Sequence, residues 1–218
     1  DMSAAMEGLL GRKLGMTQVY SAGGAQVPVT VLEVGPCVVL QKKTKAANGY
    51  DAFQLGYLDR KAARASKAIQ GHCQKAGTGP KRMAKEFRAA DPGAYKAGDT
   101  VTASIFADVT HVDVQGISKG LGFQGVVKRH GMGGGPLTHG GHSKRRPGSI
   151  GCRSYPGRVH KNKRMPGQTG HETVTQQNLR VVAVRPDDNL LLVNGAVPGP
   201  VGGMLVVRKA VKKAKKAS

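Results

Sequence analysis

Eleven Lys or Arg residues and not one Asp or Glu lie between Val114 and His171. They are Lys119, Lys128, Arg129, Lys144, Arg145, Arg146, Arg153, Arg158, Lys161, Lys163 and Arg164. Five of the seven histidines, His130, His139, His142, His160 and His171, share the stretch. Cations without carboxylates to neutralise them bind external anions: Arg forks bidentately onto a phosphate, Lys presents a point charge, and His can hydrogen-bond or stack. Glycine is scattered from Gly116 to Gly170, so backbone N–H groups can come close to phosphate oxygens. Gly134, Gly135, Gly148 and Gly151 are the expected points of closest backbone approach to RNA, and the eleven cations with His130, His139 and His142 are the expected contacts. Phe123 and Tyr155 are the only aromatics there, too few for base stacking to be the main mode. Shape and phosphate recognition of a large folded RNA fits better.

Other chemistries find weaker support in the same residues. Gly120-Leu-Gly122-Phe-Gln-Gly125-Val-Val matches both the dinucleotide GxGxxG and the kinase GxGxxGxV patterns. The first needs a helix opening at the glycines and an acid about twenty residues on, whereas the next acid is Glu172. The second needs HRD and DFG motifs, which the sequence lacks. His139-Gly-Gly-His142 with Cys152 invites zinc, but paired cysteines are missing and the spacings match no common structural site. No carboxylate within the stretch could orient a base for a nucleophilic triad. An enzyme is therefore not expected, nor a small-molecule substrate. No cofactor is expected either, beyond Mg2+ that can accompany bound RNA.

Such a segment must be held by something else. Pro136, Pro147, Pro156 and Pro166 interrupt the glycines, so neither helix nor regular sheet is expected to persist. Connections beyond about 12–15 residues without structure of their own are uncommon, and usually functional or disordered. With few large apolar residues, the stretch from Lys119 to Gly170 is expected to stay mobile until a polyanion orders it. The net charge is +21 over 218 residues; the arm holds eleven of those charges, which leaves +10 elsewhere. Arg208, Lys209, Lys212, Lys213, Lys215 and Lys216 at the C-terminal end account for six more cations. A nearly neutral body with cationic appendages suits a nucleic-acid partner. No run approaches the eighteen or so apolar residues of a membrane span, and no membrane partner is expected. Three cysteines far apart, without a CxxC pair, argue against a disulfide framework.

The body reads as β. Met16 to Tyr20, Gln26 to Val34, Cys37 to Lys43, Ala52 to Leu58, Thr100 to Phe106, Val109 to Val114, Asn178 to Val184, Leu190 to Val193 and Met204 to Val207 are strand-like runs separated by turn residues. They suggest a small barrel or sandwich. Pro28 fits a strand start, edge or bulge. Ala, Lys and Arg dominate residues 59–98, where Arg60 to Ile69 and Lys81 to Ala89 are expected short helices. The expected organisation is a body of 1–58, 99–115 and 172–210, a helical insert of 59–98, an extended arm of 116–171 and a basic tail of 211–218. Strands on both sides of the arm imply that one sheet holds its two ends. Going out and back, it could reach roughly 80–90 Å at about 3.3 Å per residue.

The run from Gly116 to His130, with Gly134-Gly-Pro136, His139-Gly140, Arg146-Pro-Gly-Ser-Ile-Gly151, Pro156-Gly-Arg158-Val and Lys163-Arg-Met-Pro-Gly167, resembles the arm of the bacterial type of the large-subunit ribosomal protein L-three family. Gly8-Leu-Leu-Gly-Arg-Lys-Leu-Gly-Met-Thr17 resembles the family's opening, and Asn189-Leu-Leu-Leu-Val-Asn-Gly-Ala-Val-Pro-Gly199 its closing strands. The resemblance implies a mainly β fold: a small β-barrel of the translation-protein type with a short helical insert and a long irregular basic extension. It further implies a structural constituent of the large subunit that supports early assembly and runs its arm through large-subunit ribosomal RNA toward the peptidyl-transferase centre, beside neighbouring ribosomal proteins. The expected location is the cytoplasm, in the ribosome, with an organellar ribosome left open. A free RNA chaperone on the same scaffold is the alternative. One loop departs from the pattern. Where many bacterial relatives carry a glutamine that accepts a methyl group, this chain reads Cys152-Arg153-Ser154-Tyr155, so that modification does not carry over.

Overall fold

In the computed structural model, which describes residues 6–89, 91 and 93–213, the strands are β1 (Gly8–Tyr20), β2 (Gln26–Val34), β3 (Cys37–Lys43), β4 (Ala52–Asp59), β5 (Lys81–Arg88), β6 (Thr100–Val101), β7 (His111–Ile117), β8 (Gly122–Gln124), β9 (Gly167–Thr169), β10 (Thr173–Arg185), β11 (Leu190–Asn194) and β12 (Met204–Lys209). Three short helices accompany them: α1 (Lys45–Asn48), α2 (Lys67–Gln74) and α3 (Val126–His130). Six strands close an antiparallel barrel in the order β1-β12-β7-β10-β11-β2. The mainly β class and the closed barrel agree with the sequence reading.

Alternation builds the barrel wall. In β7, Val112, Val114 and Gly116 are buried while His111, Asp113 and Gln115 are half-buried between them, the period of a strand with one face inward. Elsewhere burial is consecutive, as at Leu9-Leu10, Leu191 to Val193 and Leu205 to Val207, so those strands are covered on both faces. Removing each such side chain from water contributes about 1.5–3 kcal/mol. β1 begins eight residues earlier than the strand expected from Met16, and its first half carries Gly8 and Gly11. They are close-approach positions: a Cβ on Gly8 would stand 2.2 Å from the Val207 carbonyl oxygen, and one on Gly11 2.4 Å from that of Glu33. Pro28 pairs with Gln18 one residue beyond the last β2–β11 partners, Val29 and Asn194. Its carbonyl accepts from the Gly195 N–H at 3.0 Å. The N–H it lacks would face that same side, where β11 has ended.

A second sheet, in the order β5-β4-β3-β6, covers part of the barrel, and with it four expectations are corrected. Lys81 to Ala89, expected as a helix, contains β5, paired along β4 with Phe87 opposite Phe53 and Met83 opposite Tyr57. Intrinsic propensity lost to tertiary pairing: laid along β4 as a strand, the segment places Phe87, 1% exposed, in the core with Met83 packed against it. Arg60 to Ile69 is not one helix. Ala62–Arg64 is a single 3-10 turn, and α2 starts at Lys67 under an N-cap in which Ser66 Oγ accepts the Ile69 N–H at 3.4 Å. Gln70 ties turn to helix by donating to the Ala62 and Ala65 carbonyls at 2.8 and 2.9 Å. Thr100 to Phe106 is a strand only as far as Val101, then a 3-10 turn buries Ala103, Ile105 and Phe106. Residues 37–43 and 52–58, read as part of the body with the barrel strands, belong to this second sheet.

Barrel and sheet share one core, from Leu9, Leu32 and Val114 on one side to Phe53, Tyr57 and Phe87 on the other. Glu33 of β2 joins them, pairing with Arg12 at 2.7 Å and accepting from the Tyr57 hydroxyl at 3.2 Å. Burial raises the Tyr57 phenol, and the Glu33 charge adds to it. Cys37 is fully buried and donates to the Leu10 carbonyl at 3.4 Å; burial pushes its thiol up to about 12. The core holds no residue between Ser118 and Glu172. Those residues form a unit of their own, and the described residues up to Ile117 and from Thr173 form the other. Ile117 and Thr173 are register partners, so the chain leaves β7 and re-enters β10 at one rung of the barrel.

Candidate nucleic-acid interface

The arm has a hydrogen-bonded root, where sequence reading expected irregular chain throughout. The Ser118 N–H donates to the Glu172 carbonyl at 2.9 Å, and the Glu172 N–H to Ser118 Oγ at 3.1 Å. The Leu121 N–H reaches the Thr169 carbonyl at 2.8 Å, and β8 then pairs antiparallel with β9. Gly125 leads into α3, which stops after five residues at Gly131, φ 67°. That length rules out the helix a dinucleotide fold needs after its glycines. Val126 in α3 is the one fully buried side chain of the arm.

From Gly131 to Pro166 there is neither helix nor strand, only turns. The chain doubles back on itself where the Gly135 N–H donates to the Lys144 carbonyl at 3.1 Å. A Cβ on Gly134 would stand 2.3 Å from that carbonyl oxygen, and one on Gly135 3.1 Å from Ser143. These two glycines thus serve the arm's own fold. Gly148 and Gly151 differ: at Gly148, φ 77°, a Cβ would meet nothing within 4 Å, and at Gly151 only the Arg158 carbonyl at 3.7 Å. Their backbone is open to an outside partner.

All eleven arm cations are exposed, and none pairs with an acid among the described residues. His139 and His142 are exposed too, while His130 is half-buried. Arg129 and His130 are engaged within the arm: Arg129 Nη1 donates to the Met165 carbonyl at 2.8 Å, and His130 Nε2 lies 3.1 Å from the same oxygen. No group of three His, Cys, Asp or Glu residues set to hold a metal occurs among the described residues. Cys37 and Cys73 are buried and Cys152 is exposed, all as free thiols.

Sequence reasoning gave little weight to the arm's apolar side chains. Tyr155 is 88% exposed, Phe123 75% and Leu137 70%, and Ile150 is also exposed. Their only sequence signal is isolation, since each stands alone among glycines and cations with no periodic partner to bury it. Exposed apolar groups interleaved with unpaired cations suit a partner having both phosphates and apolar faces. A second cationic surface lies on the body. Between Arg60 and Arg88 the one acid, Glu86, pairs with Lys43 at 2.7 Å, and Asp59 just before it pairs with Lys81 at 2.6 Å. Arg60, Lys61, Arg64, Lys67, Lys75, Arg82, Lys85 and Arg88 are left exposed without an acidic partner among the described residues. Of the tail, Lys212 and Lys213 are exposed, while Lys215 and Lys216 lie outside the described residues.

Fold and surface define a class: a six-stranded β-barrel protein with a long cationic arm inserted between two adjacent strands. The family model of ribosomal protein L3 matches residues 58–188, which include the whole arm. The chain is 51% identical over 206 residues to the large ribosomal subunit protein uL3 of Geobacter metallireducens, covering 94% of this chain and 98% of the relative. It is 50% identical over 210 residues to the uL3 of Alkaliphilus metalliredigens, covering 96% and 100%. To the uL3 of Geobacillus kaustophilus it is 52% identical over 211 residues, covering 97% and 99%. The chain belongs to the ribosomal protein L3 family.

Proposed function

We propose that this protein is a structural constituent of the large ribosomal subunit, located in the ribosomes of the cytoplasm, whose arm binds large-subunit ribosomal RNA. The observation that carries the reading is an arm of eleven exposed cations without acidic partners, on a chain about half identical to proteins named for that subunit. Open backbone at Gly148 and Gly151 and the exposed Phe123 and Tyr155 support close packing against RNA over loose attraction. The role is architectural, not catalytic. By the same reading the protein joins early, helps RNA domains fold, sits against neighbouring ribosomal proteins and extends its arm toward the peptidyl-transferase centre.

Two measurements test this. Co-sedimentation with large subunits should survive a high-salt wash; release into the supernatant would favour a free RNA chaperone, because purely electrostatic contacts weaken steeply with salt. Cys152 is the exposed thiol of three, so it accepts a tethered hydroxyl-radical source selectively. Cleavage of RNA around the peptidyl-transferase loop is expected from assembled subunits. Cleavage confined to other regions overturns that course for the arm.

A further inference from the structure

Arg129 and His130 are both among the expected RNA contacts, yet both turn toward one backbone oxygen of their own chain. Arg129 Nη1 lies 2.8 Å and His130 Nε2 3.1 Å from the Met165 carbonyl. A carbonyl oxygen only accepts, and it has two lone pairs, so His130 Nε2 carries a proton and both bonds form together. Three features of the sequence set the arrangement. Gly125 opens α3, and the Arg129 N–H donates back to the Gly125 carbonyl at 2.9 Å, which aims residues 129 and 130 at the returning limb. Gly131 ends the helix at once, in a left-handed conformation. Gly167, two residues past Met165, leaves room for the guanidinium: a Cβ there would stand 2.5 Å from Arg129 Nη1.

We infer that Arg129 and His130 are positioning residues, a clasp on the Met165 carbonyl that closes the root of the arm and sets the course of residues 131–164 before RNA is met. Below the clasp lie the β8–β9 ladder and the bonds from Leu121 to Thr169 and from Ser118 to Glu172. Beyond it the backbone bond from Gly135 to Lys144 closes a loop within the outgoing half of residues 131–164. The clasp is therefore the last crosslink before the limbs part. Its effect on binding is pre-organisation: a tip already aimed loses less freedom on docking, and affinity for the right RNA rises without a new contact. This rests on the proposed RNA binding for its consequence, but the clasp itself exists in the free chain.

The decisive variant is Gly167→Ala, which changes no charge. The cheapest relief of the collision moves the end of the Arg129 side chain off the carbonyl, so the backbone need not shift. Arg129→Gln is the second variant. Hydrogen exchange on the free, full-length chain should speed up across Leu121 to Gln124 and Gly167 to Thr169 by about tenfold in both, with barrel amides unchanged. On a fragment of large-subunit ribosomal RNA and an unrelated RNA of equal length, both variants should lose preference for the first. Their logarithmic salt slopes should match the parent's. The inference is overturned if Gly167→Ala behaves as the parent while Arg129→Gln lowers the salt slope by about 0.7–0.9, the signature of one lost phosphate contact. If the parent chain itself shows no preference for ribosomal RNA, the functional reading fails, and exchange in the free chain still decides the clasp.

Discussion

Arg145 and Arg146 stand before Pro147 and Gly148, are exposed, and meet no acid among the described residues. The Arg146 N–H is tied to the Ser143 carbonyl at 3.0 Å, so the backbone that carries this pair is turned and not free to reorient. Changing both to Lys keeps the charge and removes the planar fork. Affinity for the ribosomal RNA fragment should fall roughly tenfold with an unchanged salt slope; equal binding by filter titration would make them interchangeable charges. Glu86 sets a different test. The Lys43 ammonium at 2.7 Å, and then the Tyr50 hydroxyl at 2.8 Å, hold its carboxyl below the usual range. A lowered folded value means a contribution present above the unfolded carboxyl's pKa of about 4.3 and lost as pH falls through the folded value. Lys43→Met should therefore lower the melting temperature at pH 7 by only ~1–3 °C, as a half-buried surface pair implies. That difference should shrink below pH 4 in a thermal series, and one that grew with acid would refute the sign.

Among elements, β5 is where local preference and tertiary need disagree most. Its composition of Lys, Arg, Ala and Glu favours a helix in isolation. Pairing along β4 instead buries Phe87 beside Phe53, whose ring meets that of Tyr95 edge-on at 5.6 Å, and the Arg208 guanidinium lies 5.6 Å over Phe87. Phe87→Ala should cost about 3–5 kcal/mol in chemical denaturation. A loss below 1 kcal/mol would mean that the strand is not held by this side chain. The arm's elements follow the same logic in reverse. β8, β9 and α3 have three, three and five residues, too few for propensity to decide, and they exist because two limbs of one chain meet at the root.

For the whole molecule, the independence of the barrel core from residues 118–172 has a direct consequence. Replacing residues 131–164 with a short Gly-Ser linker should leave the denaturation midpoint within error of the parent, since no core contact is removed. Preference for ribosomal RNA should vanish. Removing residues 211–218 deletes Lys212, Lys213, Lys215 and Lys216 and should instead flatten the salt slope, by roughly three units if each contacts a phosphate, with little change in preference. If the tail deletion abolished preference and the linker variant kept it, the determinant would lie in the tail.

Charge, glycine content and alternation were all legible in the chain as written. They marked the arm and its cations, the limits of β2 and β3 to the residue, and the resemblance that the family match bears out. These are properties of single residues and near neighbours, which sequence carries whole. What needed tertiary structure was every choice set by a distant partner. Gly8 and Gly11 show their role only once the carbonyls of Val207 and Glu33 crowd the space a Cβ would take; Lys81 to Arg88 looks helical until β4 offers it an edge. Arg129 is one cation among many by type, and only the fold shows that it donates to the Met165 carbonyl, thirty-six residues along. In each case the deciding energy comes from a group remote in sequence, so no local pattern could have announced it.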